Sequence, residues 1–438
     1  MSTRILILSR GDVGRYMSSP GIRAYYMAQV LAQAVPGEKV TLGVPNWGDL
    51  PEPLPGVEVV SLNSRNMLLL AARHDIIISS SFSPLLGVFF RHKRFVADLF
   101  SQYFIEWMEY SKDEPEGIKR EPWMNTNRVY ITMQLTMADF ILCANERQRD
   151  TYIGMVSALG LIDPVAYDKD DSLRGYIDVV PHGVRPDELK HERRVLKGVY
   201  AGIRETDKVL MWNGGVVSWY DPEPLLRAMH KLAKERDDIK AVFVGTFYPG
   251  VGAALGYGER FRSALQLSKD LGLYQRHVFF EFGWVAHKEM KDYLLESDMG
   301  VCTYFDSLET RYSYRTRFLD LFWAELPLIC TRGDVLAQMV EERELGIVVA
   351  EGDSDAVAAA ISRLADDKDF YERCRANLQA IKPSLTWEAA LEPLVRYCRD
   401  GAQSASASKA DRTVPLFTRA GDYALSRLRE VVTPRRQR

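Results

Sequence analysis

Short apolar runs alternate with helix-length amphipathic segments along this chain, and the alternation is interrupted once, by a charged stretch at residues 185–207, before it starts again. That rhythm limits the fold more than any other feature. Before the interruption, residues 5–8, 39–44, 57–60, 75–78, 94–99, 140–143 and 177–180 have the length and β-branched content of strands. Between the first two, Ile22, Tyr26, Val30 and Ala34 recur at helical spacing within Gly21 to Ala34. After the interruption, residues 209–212, 241–244, 277–280, 299–302, 328–330 and 347–349 repeat the pattern. Strands that are apolar throughout need cover on both faces, and helices between consecutive strands supply it. Each half therefore predicts a parallel α/β sheet, with ligands expected at the carboxyl ends of the strands and in the cleft between the halves.

A chain of 438 residues is long enough for two such domains. The sequence places the first at 1–190, the second at 191–385, a C-terminal helix packing back towards the first at 386–400, and a flexible basic tail at 401–438. Within that tail, residues 423–432 have the pattern of a short amphipathic helix able to touch anionic lipid, and equally the composition of a solvated tail. With 56 basic and 59 acidic residues the net charge is −3, which gives no general attraction for a nucleic-acid backbone, so no nucleic-acid partner is expected. Five cysteines without paired spacing argue against a disulfide framework or structural zinc and for a reducing compartment. No apolar run approaches the ~18 residues of a membrane span. The expected location is cytoplasmic, with the tail as the route to peripheral contact with the inner face of a membrane.

Three segments carry residues suited to chemistry. In the loop after the first strand, Ser18 or Ser19 can cap the next helix, Pro20 suits its first turn, Gly21 lets a ligand approach the backbone and Arg23 adds charge. This reads as an anion site or simply as a capped helix. The order of Gly11 and Gly14 is not that of a dinucleotide fingerprint, and the common signatures of P-loop enzymes, zinc proteases and serine hydrolases are missing. Asp168 and Asp170 resemble a metal-binding pair but sit in a polar loop, as surface charge does. The second segment, opening the second domain, brings Gly214 and Gly215 from a strand and then Trp219 and Asp221 before Pro222. Trp219 closes over a ligand or covers the core. In the third, residues 299–327, Ser313, Arg317, Asp320 and Ala324 fall on one helical stripe. A carboxylate there can accept hydrogen bonds from vicinal sugar hydroxyls while arginines hold a diphosphate. The plainer alternative is an Arg317–Asp320 helix ion pair.

In this order and separation, the three segments resemble family-4 glycosyltransferases of the GT-B fold, from Ile5 to about Arg399. Pro20-Gly-Ile-Arg23 resembles the glycine-containing loop after the first strand, and Trp212 through Pro222 the Gly-Gly-x-x-x-Trp-x-Asp-Pro loop of one bacterial branch. Leu308 through Pro327 resembles the donor-binding strand, loop and helix; residues 145–149 and 282–285 are also similar to that branch. The family pattern has two glutamates eight positions apart. Counting back from Pro327 puts Asp320 at the second and Tyr312 at the first, with Glu309 the nearest substitute from the loop. Glu325 stands where glycine is usual, and the Arg and Lys that many relatives carry after the Gly-Gly pair are absent, leaving Arg311, Arg315 or Arg317 to supply phosphate charge.

The resemblance implies two Rossmann-like domains facing each other across a cleft, and a retaining, metal-independent hexosyl- or related transferase. The sugar would move from a nucleotide-sugar donor to a hydroxyl of a glycan, polysaccharide, lipid-linked or small-molecule acceptor, with no cofactor beyond that co-substrate. The implied donor site sets ribose on Asp320 and diphosphate at Gly214, Gly215, Arg315 and Arg317, with Gly21 and Arg23 reaching in from the first domain. Gly245, Trp284 and Val285 would meet the base, and Trp219, Glu309, Thr310 and Arg311 would complete the site. Arg315 and Arg317 stabilise charge growing on the leaving diphosphate and so count as catalytic. On the first domain Asp98 orients an acceptor hydroxyl, or caps a loop, and His182 helps bind the acceptor. The rival reading is a non-catalytic subunit of the same fold that binds a carbohydrate or a partner, motivated by Tyr312 and Glu325; a sugar-nucleotide epimerase is a third.

Overall fold

The computed structural model describes residues 3–400 apart from 36, 38, 47, 49, 51, 64–65, 114–119 and 247–256. The chain divides into two compact units: the first runs to Pro181 and resumes at Ala390, and the second is His182–Ala389. The sequence places the first boundary nine residues later, at 190. It falls earlier because the segment after Pro181 is fastened within the second unit. Val184 donates its N–H to Leu385 at 2.7 Å, and Trp323 donates its ring N–H to the Asp187 carbonyl at 2.8 Å. The helix Glu392–Asp400 returns to the first unit through its apolar face. There Tyr397 stacks on Phe140 with centroids 4.5 Å apart, and Arg396 lies 3.5 Å from Asp178.

The first unit holds a seven-stranded parallel sheet: β1 (Arg4–Leu8), β2 (Lys39–Val44), β3 (Val57–Ser61), β4 (Ile76–Ser79), β5 (Arg94–Asp98), β6 (Phe140–Cys143) and β7 (Ile177–Val179). Their order across the sheet is β3-β2-β1-β4-β5-β6-β7, with Ile5 in register with Val40 on one side and Ile76 on the other. The second unit holds six: β8 (Lys208–Asn213), β9 (Ile239–Val244), β10 (Val278–Phe280), β11 (Met299–Cys302), β12 (Leu328–Thr331) and β13 (Gly346–Val349), ordered β10-β9-β8-β11-β12-β13. The central strands are buried because helices cover both sheet faces, whereas the edge strand β3 is half-exposed. β9 is buried along its whole length, and even Lys240 there keeps its ammonium satisfied on the Arg276 carbonyl at 2.8 Å. Each sheet is thus the doubly wound, Rossmann-like architecture expected from the strand and helix rhythm.

The same topological event occurs in both sheets. Successive strands add to one side of β1 until β4 starts on its other side, and likewise β11 starts on the other side of β8. At such a switch the loops leaving the two central strands diverge to opposite faces and leave a crevice at the strand ends. The crevice-lining loops are those after β1 and β4 in the first unit, and after β8 and β11 in the second.

Candidate functional site

In the second unit, β8 ends at Asn213 and the chain turns through Gly214 with φ of 101°, a conformation that L side chains rarely adopt. A Cβ at Gly214 would also lie 3.4 Å from the guanidinium of Arg317. Glycine is therefore required both by the turn and by the close approach. Arg317 sits in the first turn of the helix Thr316–Trp323, lays its guanidinium 3.7 Å over the Tyr220 ring and donates to the Gly215 carbonyl at 2.8 Å. Its Nη1 is buried and meets no hydrogen-bond partner among the described residues.

One turn further on, Asp320 accepts a long hydrogen bond of 3.4 Å from the Asn213 amide, which also donates to the Arg317 carbonyl at 3.1 Å. No ion pair joins Arg317 to Asp320 among the described residues, so the plainer reading of that stripe does not hold. Burial pushes the Asp320 carboxyl above its ordinary value; the charge of Arg185 and the Asn213 hydrogen bond act against that push, Asp187 adds to it, and Arg317 opposes it. Asn213 Oδ1 is another buried polar atom with no partner among the described residues. A donor without an acceptor and a desolvated carboxylate together suit a ligand that brings both anionic oxygens and hydroxyls.

Arg185 was not among the residues the sequence singled out. It is 5% exposed, pairs with Asp187, donates to the His287 carbonyl at 3.2 Å, and lies 4.9 Å over Trp323, three residues after Asp320. Its Nη1 also lacks a hydrogen-bond partner among the described residues. The available signal was its place directly after Pro181-His-Gly-Val, which the sequence reading treated only as the start of a charged junction.

Arg315 is a correction. Two positions before Arg317, it is 4% exposed and forks onto both carboxylate oxygens of Glu309 at 3.0 and 2.7 Å, while Nη2 also reaches Thr310 Oγ1 at 3.0 Å. Its Nε has no hydrogen-bond partner among the described residues but lies 3.8 Å from the carboxylate of Asp334, which caps the helix Val335–Glu342, so its charge is met on that side too. The guanidinium faces inward among Tyr304 and Tyr220 and is not presented to a diphosphate. By the same contacts Glu309 cannot stand in for the missing family carboxylate. Thr310, with its hydroxyl on the Phe305 carbonyl at 2.7 Å, holds the loop and does not face a donor.

The remaining second-unit residues fall around the strand ends. Gly245 follows β9 with φ of 68°, and a Cβ on it would stand 3.7 Å from Gly214 Cα, which brings those two loops together. Trp284 and Val285 follow Gly283; Val285 is core, Trp284 is half-buried, and so is Trp219, packed against the core. Arg311 is exposed. Glu325 has φ of 58°, so the backbone there is what glycine favours; the side chain is kept by Lys382 at 2.6 Å, Gln379 at 2.7 Å and Arg375 at 3.3 Å.

The first-unit assignments also need correction. Arg23 and Asp98 meet each other: Arg23 Nε and Nη2 donate to Asp98 at 2.9 and 2.7 Å, and Nη1 and Nη2 donate to the carbonyls of Pro181 and Val180 at 2.9 and 2.8 Å. Arg23 is 1% exposed, so it holds the ends of β5 and β7 together instead of binding donor phosphate, and Asp98 has its charge engaged instead of waiting for an acceptor hydroxyl. Gly21 is needed because a Cβ there would lie 2.1 Å from the Asp12 carbonyl oxygen, so its freedom serves a chain crossing. His182, expected on the first domain, falls in the second unit, 3% exposed, with its ring 5.3 Å from Trp387. The basic tail, with its expected lipid contact, lies outside the described residues. Among those described, no helix is long and apolar enough to cross a membrane, and no group of three metal-ligating residues gathers.

Residues 200–380 match the family model described as Glycosyl transferases group 1. No curated protein matches the chain in sequence. Among solved structures, the chain is similar to Anabaena HepE in complex with UDP and glucose, at 14% identity over 91% of this chain and 100% of that one, with a TM-score of 0.59. It is similar to WaaG, a glycosyltransferase involved in lipopolysaccharide biosynthesis, at 14% identity over 90% and 99%, with a TM-score of 0.60. It is also similar to the trehalose-6-phosphate synthase OtsA, at 15% identity over 91% and 99%, with a TM-score of 0.61. The chain has the two-domain α/β fold of these GT-B glycosyltransferase structures.

Proposed function

We propose that the chain is a retaining glycosyltransferase that moves a sugar from a nucleotide-sugar donor to an acceptor hydroxyl, with the nucleotide held by the second unit. The observation that carries this reading is the set of groups at the β8/β11 switch: a left-handed Gly214, an Arg317 guanidinium with an unpartnered nitrogen, and Asp320 beside Asn213, all inside the segment similar to group 1 transferases. Arg317 and the amides after Gly214 would take the diphosphate, and ionised Asp320 would accept from ribose hydroxyls. UDP is bound by HepE, which makes UDP-sugars the first donors to try.

In the reaction, the bond from the sugar's anomeric carbon to the phosphate oxygen breaks and a bond to the acceptor oxygen forms on the same face. The acceptor proton passes to the departing phosphate oxygen, so no protein nucleophile is required. Arg317, held by Tyr220 and Gly215 before any ligand arrives, stabilises the charge that grows on the diphosphate without reorganising. We propose that this fixed charge serves in place of a metal ion, and that no cofactor beyond the co-substrate takes part.

One observation favours a non-catalytic binding subunit instead: Tyr312 occupies the first carboxylate position, and Glu309 is committed to Arg315. Calorimetry with UDP, GDP, ADP and TDP, followed by nucleotide release from the corresponding sugar forms with and without glycan acceptors, separates the two. Binding with nucleotide release supports the transferase, whereas the absence of both binding and release ends the enzyme reading and leaves the subunit that binds a carbohydrate or a partner.

A further inference from the structure

The first unit's own switch point carries an exposed cation with no ion-pair partner among the described residues. Arg10 follows β1 directly, on a turn that Ser9 fixes from both sides, donating from its hydroxyl to the Gly11 carbonyl at 2.7 Å and accepting from the Gly11 N–H at 3.2 Å. The side chain is exposed and makes no hydrogen bond or ion pair among the described residues. Two aromatic rings flank it: the guanidinium lies 5.5 Å from the centroid of Tyr103 and 5.8 Å from that of Tyr130. Rings that flank a guanidinium restrict where it can swing and leave its N–H edge for an acceptor.

The surroundings are built and braced. Tyr130, on the helix Arg120–Met137, donates its hydroxyl to the Ser80 carbonyl just past β4. Gln134 of the same helix receives the Phe82 N–H at 2.6 Å and donates to the Phe82 carbonyl at 3.2 Å, so the loop after β4 is clamped. Past β5, Gln102 precedes the helix Tyr103–Tyr110; it is 5% exposed, and its amide nitrogen has no hydrogen-bond partner among the described residues. The ends of β1 and β5 therefore each contribute a donor lacking an acceptor, one charged and one neutral. Two carboxylates at these strand ends have partners of their own: Asp98 is engaged by Arg23, and Asp12 accepts from the Asn46 amide at 3.0 Å.

We propose that the crest formed by the ends of β1, β4 and β5 binds an anionic oxygen group, phosphate or carboxylate, carried by a sugar, with Arg10 as its principal ligand. As an acceptor site this rests on the transferase reading; as an anion site it does not. The planar guanidinium fork matches either group through two parallel N–H bonds, and the flanking tyrosines offer the rings on which a sugar face packs. Its chemistry differs from that of the β8/β11 site, where a glycine turn and a ribose-type carboxylate accompany the arginine.

The test uses glucose 1-phosphate, glucuronate and glucose as probes on the full chain, read by ligand-observed NMR, with Arg10→Gln and Arg10→Lys beside the wild type. At least one anionic probe is expected to bind the wild type while glucose does not, and the two anionic arms tell phosphate from carboxylate. Arg10→Gln is expected to weaken that binding about tenfold or more, with Arg10→Lys intermediate because it keeps charge without the fork. UDP should not displace the anionic sugar, and calorimetry should give the same UDP affinity in Arg10→Gln as in the wild type. The proposal is overturned if neither anion binds, if Arg10→Gln binds within twofold of the wild type, or if UDP displaces the probe. Absence of UDP binding together with an intact Arg10 effect would instead remove the donor reading and leave the anion site standing.

Discussion

The two sheets break at equivalent places, yet the glycines and arginines beside those breaks do opposite things. In the first unit, Gly11 and Gly21 are spent on each other: a Cβ on Gly11 would lie 2.6 Å from the Gly21 nitrogen, so the loop is closed against the helix that follows it. Arg23 behind it has donors on Asp98 and two carbonyls. In the second unit, Gly214 opens a left-handed turn beside Arg317, whose Nη1 remains unpartnered. The difference lies in leftover hydrogen-bonding capacity. A glycine or arginine at a strand end indicates a ligand only when the fold itself has not already used it.

The largest effects should come from the buried pairs. Arg23→Ala strands Asp98 and Arg315→Ala strands Glu309, and each should cost about 3–5 kcal/mol, the usual effect of removing one partner of a buried ion pair. Urea denaturation measures this. Arg317→Gln breaks no ion pair but loses the Gly215 hydrogen bond and the Tyr220 contact, and should cost about 1.5–3 kcal/mol by the same measurement, less than either buried pair. Equal losses at Arg23 and Arg317 would erase the contrast between the units.

For nucleotide binding the order inverts. Arg317→Gln should lower UDP affinity by about tenfold or more, the scale of a hydrogen bond to a charged group. Arg311→Gln, exposed and outside the turn, should stay within about twofold in calorimetry, as a screened surface charge would.

Asp320 gives a pH test with a worked sign. Its carboxyl titrates above the ordinary 3.8, with burial as the leading cause. An acid whose folded pKa is raised contributes stability that is fully present below the unfolded value and is lost as pH rises through the folded one. At neutral pH the ionised group therefore works against folding, and Asp320→Asn should be at least as stable as the wild type there while binding UDP more weakly. UDP affinity in the wild type should fall as pH drops through a midpoint above 3.8, and that fall should vanish in Asp320→Asn. Arg185→Gln should move the midpoint upward, because Arg185 is the foremost charge opposing the shift.

The smallest effect concerns Glu325. Burial acts to raise its pKa, but hydrogen bonds from Lys382 and Gln379 win and hold it below the ordinary 4.5. Its contribution is present above 4.5 and is lost as pH falls through the folded value. Glu325→Gly removes these contacts but relieves a left-handed backbone worth roughly 1–2 kcal/mol. Thermal melts at neutral pH should show a net change of less than about 1 kcal/mol, whereas Glu325→Ala, which loses the contacts and keeps the strain, should be clearly less stable.

Much of the frame was legible in the sequence. The apolar runs located the strands, and their interruption located the change of unit to within nine residues. Gly214, Arg317 and Asp320 were legible because their spacing is local: a strand end, then one helical stripe. The buried pairs were not. Arg23 and Asp98 are 75 positions apart, and no periodicity marks which distant carboxylate will meet an arginine. Arg315 and Glu309 are separated by the break at Ser313, where extended backbone interrupts the helix and turns two neighbouring arginines to different uses. Arg185 escaped because its role depends on Trp323 and Asp320, both more than a hundred residues away.

The most direct measurement is the UDP affinity of the wild type beside Arg317→Gln and Arg23→Gln, each first shown to be folded by its circular dichroism. UDP is expected to bind the wild type, Arg317→Gln to lose about tenfold or more, and Arg23→Gln, once folded, to bind nearly as the wild type does. Unchanged affinity in Arg317→Gln, or a larger loss in Arg23→Gln, would contradict a donor site at Arg317.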